Sequence, residues 1–319
     1  MKIVICHQAI TDSSLADERD VLDQVAAVTS GLVNLGHSVN ALPCTLDLAT
    51  LESQLQQSRP DLVFNLVESL NDRGNLISLV PSLLDTLGIP YTGASAEAMF
   101  LSSNKQLAKR HLEASGLPTP PGYPSAGISR FIVKSVWEHA SRGLDAESVV
   151  GPSEVTHACK ERARRFGGHF FAEAYLDGRE FNVGVLDSLD GPRVLPIAEI
   201  AFDSFAPHEL KIVDYAAKWD VESAAYQRTQ RRAPAEAQDS PLLRELERLS
   251  LACWSAFELC GYARVDFRVT EAGKPYILEV NANPCLSPDA GFAAALTRAG
   301  IGFDDALARI VTAALAEAR

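Results

Sequence analysis

No CxxC pair and no zinc-like spacing joins the six cysteines of this 319-residue chain, Cys6, Cys44, Cys159, Cys253, Cys260 and Cys285. Scattered thiols of this kind argue against a zinc site or a disulfide framework and point to reduced cysteines, so a cytoplasmic location is expected. Positive charge is scarce as well. The 29 Lys and Arg face 41 Asp and Glu, a formal net charge of −12, which excludes a protein whose main task is neutralising nucleic-acid phosphates. No apolar run reaches the roughly 18 residues that suggest a membrane span. Residues 1–6 lead into a short apolar run, with no basic region followed by a long hydrophobic stretch, so neither a membrane partner nor a signal peptide is expected. GxxxxGK[ST] and GxGxxG are both missing, which removes a P-loop and a dinucleotide fingerprint. Internal repeats and extended low-complexity segments are absent too.

What remains is an ordinary folded composition, 47% hydrophobic and 22% charged, with length for two or three domains. The first hundred residues alternate strand and helix signals: strands at 3–6, 38–42 and 61–67, and helices at 18–35, 48–57 and 76–87, the first closed by Gly36 and the last by Gly88. That order predicts an α/β fold with a parallel sheet covered by helices. Ligands at such sheets sit beyond the carboxyl ends of the strands, so His7, Glu68 and Arg73 are expected at a substrate cleft, with a solvated loop position as the alternative for each. A second unit starts near Lys105 and is interrupted by the stiff stretch GLPTPP at 116–121. A strand at 131–135, a helix at 153–165 and a strand at 169–175 follow. From Glu180 onward strands dominate, at 181–186 and 193–199. The polar stretch 227–239 is expected to be a loop, and 242–260 a long amphipathic helix.

The most informative stretch is ARVDFRVTEAGKPYILEVNANP at 263–284. Two strand-like runs flank Glu271-Ala272-Gly273-Lys274, which reads as a tight hairpin turn. A turn centred on Ala272 and Gly273 pairs Asp266 with Glu279 and Arg264 with Asn281. Period-two geometry then places these four on one face and Val265, Phe267, Val269, Tyr276, Leu278 and Val280 on the other. Two carboxylates opposed across strands repel each other unless a cation lies between them. Oxygen ligands from Asp266, Glu279 and Asn281 suit a hard divalent ion such as magnesium. The competing readings are a solvated face with Lys274 or Arg268 nearby, and a calcium or structural ion.

Two lysines are weaker signals. Lys134 ends an apolar strand before a loop containing Ser141-Arg142-Gly143, and such a lysine can fix a phosphate while loop amides approach its oxygens. Lys105 sits at a helix start, where a cation opposes the helix dipole, which hints at a nearby anion. Both positions are also ordinary places for a solvated lysine. His139 could contact phosphate or simply occupy the loop.

These pieces together resemble the ATP-grasp superfamily, and within it the D-alanine–D-alanine ligase-like branch. The matching segments run along nearly the whole chain: ADERDV at 16–21, LGIPYTG at 87–93, SSNKQLAKRHLEASGLPTP at 102–120, FIVK at 131–134, EAYLDGREFNVGVL at 173–186, VDYAAKW at 213–219, and RVDF with ILEVNANP. The resemblance implies a three-domain ATP-grasp fold. Its N-terminal parallel-sheet domain would be 1–100, its small central α+β domain 101–178, and its C-terminal α+β domain, with the metal and catalytic residues, 179–319. It implies nucleotide binding by Lys105, Lys134, Ser141, by Glu173, Tyr175 and Leu176 as the linker at the adenine, and by Glu180 at the ribose. Lys218 would be the γ-phosphate lysine, and Asp266, Glu279 and Asn281 the ligands of magnesium or manganese. Arg264 and the backbone N–H of Cys285 would stabilise a tetrahedral intermediate, and Glu18 would hold the first substrate's amino group.

The implied activity is ATP-dependent joining of a carboxylate and an amine on small amino-acid-like substrates, through an acyl phosphate, with release of ADP and phosphate. The family's commonly dimeric enzymes imply a homodimer. The pattern departs at the substrate end. The Ser and Tyr that complete the network of the N-terminal Glu are replaced by Ala140 and Trp219, and the serine that holds the second D-alanine falls at Ala290. A pocket without those hydroxyls is expected to take a different acceptor. A D-alanine–D-alanine ligase with a remodelled pocket, a non-catalytic nucleotide-binding protein and a phosphotransferase are the alternatives.

Overall fold

The computed structural model describes residues 1–12, 14–138, 141–206, 209–220 and 222–316, the side chains of 236 and 237 excepted, so the expectations for His139 and Ala140 fall outside it. Three sheets organise the chain. In the first part β1 (Lys2–Gln8), α1 (Ala16–Asn34), β2 (Ser38–Cys44), α2 (Leu48–Ser58), β3 (Leu62–Asn65), α3 (Leu79–Leu87) and α4 (Ala96–Ser103) follow one another. The strands pair in parallel in the order β2-β1-β3. The central strand β1 is apolar on both faces because helices cover both, and Ile3 to Cys6 are fully buried. Asp47 and Ser95 cap α2 and α4 by accepting from the N–H groups of Thr50 and Ala98.

The second part comprises α5 (Lys105–Ala114), β4 (Phe131–Ser135), β5 (Val149–Val150), α6 (Val155–Phe166) and β6 (Phe170–Ala174), with an antiparallel sheet β5-β4-β6. The third contains β7 (Arg179–Leu186), β8 (Arg193–Val194), β9 (Ala198–Ile200), α7 (Tyr215–Trp219), α8 (Ala224–Arg228), β10 (Arg231–Arg232), α9 (Glu236–Ala256), β11 (Tyr262–Val269), β12 (Pro275–Asn281), α10 (Gly291–Arg298) and α11 (Phe303–Ala316). Its main sheet runs β10-β9-β7-β11-β12, with β8 also on β7. The stretch 227–239 is therefore not a plain loop: it holds the end of α8, all of β10 and the start of α9. Within it Arg232 pairs with Glu199 and Asp203, distant partners that local composition cannot show.

The hairpin β11–β12 has the expected cross-strand pairs at the site, Asp266 with Glu279 and Arg264 with Asn281. Nearer the turn the register is shifted by one. Val269 pairs with Pro275 and Phe267 with Ile277, and a bulge after Asp266 absorbs the difference. The turn itself is one residue longer than expected, Gly273 at φ +75° donating to the Thr270 carbonyl. Consequently Ile277, not Leu278, enters the core, and Leu278 faces the cleft.

One apolar cluster joins the first and third sheets, bringing Ile3, Ile5 and Val28 together with Leu186, Tyr262, Phe292 and Leu307. The central sheet has a small cluster of its own around Phe131, Val133, Val155 and Ala172. The three sheets thus meet around a cleft whose walls come from all of them.

Candidate active site

The cleft holds about 310 Å³. It continues into a second cavity of about 100 Å³, and the two share Glu138, Arg142, Glu180, Val213, Lys218 and Asp266. The smaller cavity lies between the central sheet, which contributes Ile132 and Lys134, and the hairpin, which contributes Leu278 and Glu279. The larger one opens toward the N-terminal sheet and α1, with Gln8, Asp17, Glu18, Asp20 and Glu68 on its wall.

The charged face of the hairpin lies between these spaces. Arg264 spans Asp266 with two contacts, Nε to Oδ1 at 2.8 Å and Nη2 to Oδ2 at 2.9 Å. Asn182, opposite Asp266 on β7, donates to Oδ1 at 2.7 Å. Glu279 meets the Lys105 ammonium at 3.2 Å. The opposed carboxylates are therefore balanced by Arg264 and Lys105. Lys274 and Arg268 play no part in it: Lys274 stacks over Tyr276, and Arg268 pairs with Glu180 at 2.7 Å. Among the described residues no three His, Cys, Asp or Glu side chains cluster as a metal site. The oxygen set here is two carboxylates and the neighbouring amide of Asn281, which fits a hard divalent ion that keeps positions for other oxygen ligands.

Lys218, at the end of α7, lines both cavities. Burial and the neighbouring Arg264 charge hold its ammonium below the usual lysine range, opposed by Glu279 and Asp266. Two cations pressed together in this way favour an incoming anion.

Lys134 reaches Glu173 at 2.6 Å, and Lys109 reaches the other oxygen of that carboxylate at 2.5 Å. Glu173 is buried, and its pKa is still lowered: burial pushes it up, but the two ammonium groups outweigh that. Lys109 also donates to Thr119 at 2.8 Å, so it belongs to the framework. Ser141, at φ +62°, donates to the Val213 carbonyl at 2.8 Å and carries Arg142 toward the cleft. There Arg142 meets Glu18 at 2.5 Å and Asp17 at 3.2 Å, and Tyr215 donates to Asp17 at 2.9 Å.

On the same wall Gln24 donates to Glu68 at 3.2 Å and accepts from the N–H of Leu286 at 3.0 Å. The Cys285 thiol donates to Asp20 at 2.9 Å. Burial raises the Glu68 carboxyl to about 7, with Asp20 adding to the shift and Gln24 opposing it.

The family profile described as D-ala D-ala ligase C-terminus matches residues 103–312, two thirds of the chain. This chain belongs to the D-alanine–D-alanine ligase family. A protein of Halorhodospira halophila named D-alanine–D-alanine ligase is 32% identical over 259 residues, covering 77% of this chain and 78% of that one. An uncharacterised protein of Sinorhizobium fredii, y4sG, is 29% identical over 301 residues, 90% of this chain and 86% of its own length. The fold is that of the D-alanine–D-alanine ligase of Bacillus anthracis complexed with ATP, with a TM-score of 0.74 at 19% identity over 100% of this chain and 98% of that one. The VanG D-Ala:D-Ser ligase of Enterococcus faecalis superposes with a TM-score of 0.72 at 15% identity, over 98% and 99% of the two chains.

Within this family fold, Glu18, Glu68, Lys105, Lys134, Ser141, Glu180, Lys218, Trp219, Arg264, Asp266, Glu279, Asn281 and Cys285 all line the two cavities. Glu173, Tyr175 and Leu176 do not: Glu173 is tied up by its lysines, and the Tyr175 hydroxyl accepts from the Lys211 N–H at 3.0 Å. His7 is also off the wall, its ring turned to the Gln8 carbonyl at 2.9 Å, so that Gln8 lines the cleft instead. Arg73 is exposed outside it. Sequence reasoning missed Arg142, Asp17, Asp20, Asn182 and Arg231. Asn182 was within reach, because it shares the two-residue period of Glu180; the others depend on contacts across the fold.

Proposed function

We propose that this chain is an ATP-dependent carboxylate–amine ligase that joins two small amino-acid-like substrates through an acyl phosphate and releases ADP and phosphate. The observation that carries the proposal is the convergence of Lys218, Arg264 and the Asp266–Glu279 pair at the junction of the two cavities. The ATP complex of the Bacillus anthracis ligase supports ATP as the nucleotide. The division into 1–100, 101–178 and 179–319 is part of the same reading, as are a homodimer and a cytosolic location, the last supported by six cysteines that form no disulfide.

In this reading the smaller cavity takes the nucleotide, with Lys105 and Lys134 at its phosphates and Glu180 at the ribose. Asp266, Glu279 and Asn281 would hold magnesium or manganese, which would supply positive charge at the transferring phosphoryl oxygens. A carboxylate is a poor electrophile until one of its oxygens becomes a good leaving group. Attack of the acid on the γ-phosphorus achieves that, and Lys218 offsets the charge gathering on the phosphoryl group. The amine then attacks the acyl carbon, Arg264 and the Cys285 N–H stabilise the oxyanion, and phosphate leaves.

Glu18 is placed for the amino group of the acid substrate, with Arg142 in the position of its present partner. Trp219 and Ala290 on the cleft wall favour an acceptor other than D-alanine. A D-alanine–D-alanine ligase with a remodelled pocket is the second reading, favoured by the names of the relatives. The test is ADP and phosphate release with amino acids supplied in pairs. Release is expected only when an acid and an amine are both present, and is expected to fall about 100-fold or more in Asp266→Ala and Glu279→Ala. Full turnover by either variant contradicts the assignment, and direct assay with D-alanine separates the two readings.

A further inference from the structure

Arg231 lines the cleft from the two-residue strand β10 at the sheet edge, where it pairs with Ile200 and is exposed. Its side chain crosses to the loop before α10, and Nη2 donates to the Asp289 carbonyl at 2.6 Å. Gly291 makes room for it: a Cβ on that residue would come 2.9 Å from Nη1 and 3.8 Å from Cδ. Three guanidinium groups on the same side are committed to carboxylates, Arg228 to Glu209 at 2.6 Å, Arg232 to Glu199 at 3.2 Å, and Arg179 to Glu199 and Asp239 at 2.7 Å. Arg298, whose charge opposes that of Arg231, instead donates to the carbonyls of Ile197 and Pro196. Arg231 has no carboxylate at ion-pair distance among the described residues, and the Asp289 carbonyl is its one hydrogen-bond acceptor there. A guanidinium has five N–H donors in a planar fork that matches a carboxylate.

A second feature points the same way. α10 starts at Gly291, and its N-cap residue, Ala290, gives no side-chain cap. The first N–H groups of a helix without such a cap favour an anion. The guanidinium of Arg231 and this helix start share the cleft wall with Arg264 and Cys285. Ala290 itself supplies no hydroxyl at the helix start.

We propose that Arg231 holds the carboxylate of the amine substrate and so restricts that substrate to amino acids or peptides with a free carboxylate. The inference rests on the ligase reading and names the residue that would take over from the serine missing at Ala290. Arg231 sets which amine is accepted, whereas the phosphoryl transfer and the acid substrate are handled elsewhere in the cleft.

The test compares each α-amino acid that serves as the amine with its primary amide, in the wild type, Arg231→Ala and Arg231→Lys, reading ADP release. Loss of a charge-assisted contact corresponds to about 10- to 100-fold. The wild type is expected to prefer the acid over the amide by about that factor in kcat/KM. Arg231→Ala is expected to lose the preference through a raised KM for the amino acid, while the KM for ATP and the rate with the amide stay unchanged; Arg231→Lys is expected to recover part of the loss. A wild type that takes the amide equally well, or an Arg231→Ala enzyme that keeps the preference, overturns the inference. ADP release that never depends on an amine, in the wild type alone, contradicts the ligase reading itself and is seen before any variant is made.

Discussion

Arg142 faces three acids, Asp17, Glu18 and Glu138, from a loop of the central part of the chain. Replacing it by Ala leaves the buried Glu18 carboxylate without its cation, and a loss of about 2 to 3 kcal/mol is expected, read as a lower denaturation midpoint with partial recovery in Arg142→Lys. Glu68 gives a pH signature of the opposite kind. Its carboxyl titrates near 7 in the folded chain and near the ordinary 4.5 when unfolded. Between those values the folded state holds the extra proton, so this group's contribution to stability falls as pH rises and is fully lost above about 7. Glu68→Gln is therefore expected to melt above the wild type at pH 8 and level with it at pH 4, in thermal scans at the two pH values. Equal melting at pH 8 would remove the claim. Neither residue's role was legible from its neighbours in sequence, because each depends on partners more than forty positions away: Arg142 on Glu18, and Glu68 on Gln24.

At the scale of elements, the hairpin shows what a sequence pattern can and cannot tell. The alternation of Arg264, Asp266, Glu279 and Asn281 was enough to bring the charged face together. The turn was read one residue too short, and the bulge after Asp266 restored the pairing at the site. Nothing in ILEVN marks a bulge, since Ile277 and Leu278 are equally apolar and only packing decides which enters the core. Gly178, at the entry to β7, is the backbone counterpart. It has φ +145°, and a Cβ there would lie 2.0 Å from the Val269 carbonyl oxygen at the end of β11. Gly178→Ala is expected to cost more than about 2 kcal/mol, because the clash is with backbone and the conformation excludes a side chain; an unchanged urea midpoint would contradict that contact. The strand–helix order of the first hundred residues was legible because hydrophobic period and Gly36 and Gly88 agreed. The arginines of β10 were not, because their partners are distant in sequence, Asp289 for Arg231 and Glu199 and Asp203 for Arg232.

For the molecule as a whole, the first and third sheets share a core, while the central sheet adds only a small apolar cluster of its own. Amide exchange is therefore expected to be faster in β4 and β6 than in β7 and β11, and to slow in β4 and β6 when ATP is added. Exchange that ignores ATP would place the nucleotide elsewhere. The resemblance already implied three units around a cleft. What it could not supply were Arg142 and Arg231 on the cleft wall, in positions that no single segment of the sequence announces. The central claim is that a carboxylate is activated by phosphoryl transfer before an amine attacks it. Its most direct test supplies the acid substrate with ¹⁸O in both carboxylate oxygens, together with ATP and the amine, and follows the label into released phosphate by mass spectrometry. One labelled oxygen per phosphate is expected for each amide formed; phosphate without label, in a reaction that still releases ADP, would contradict the account.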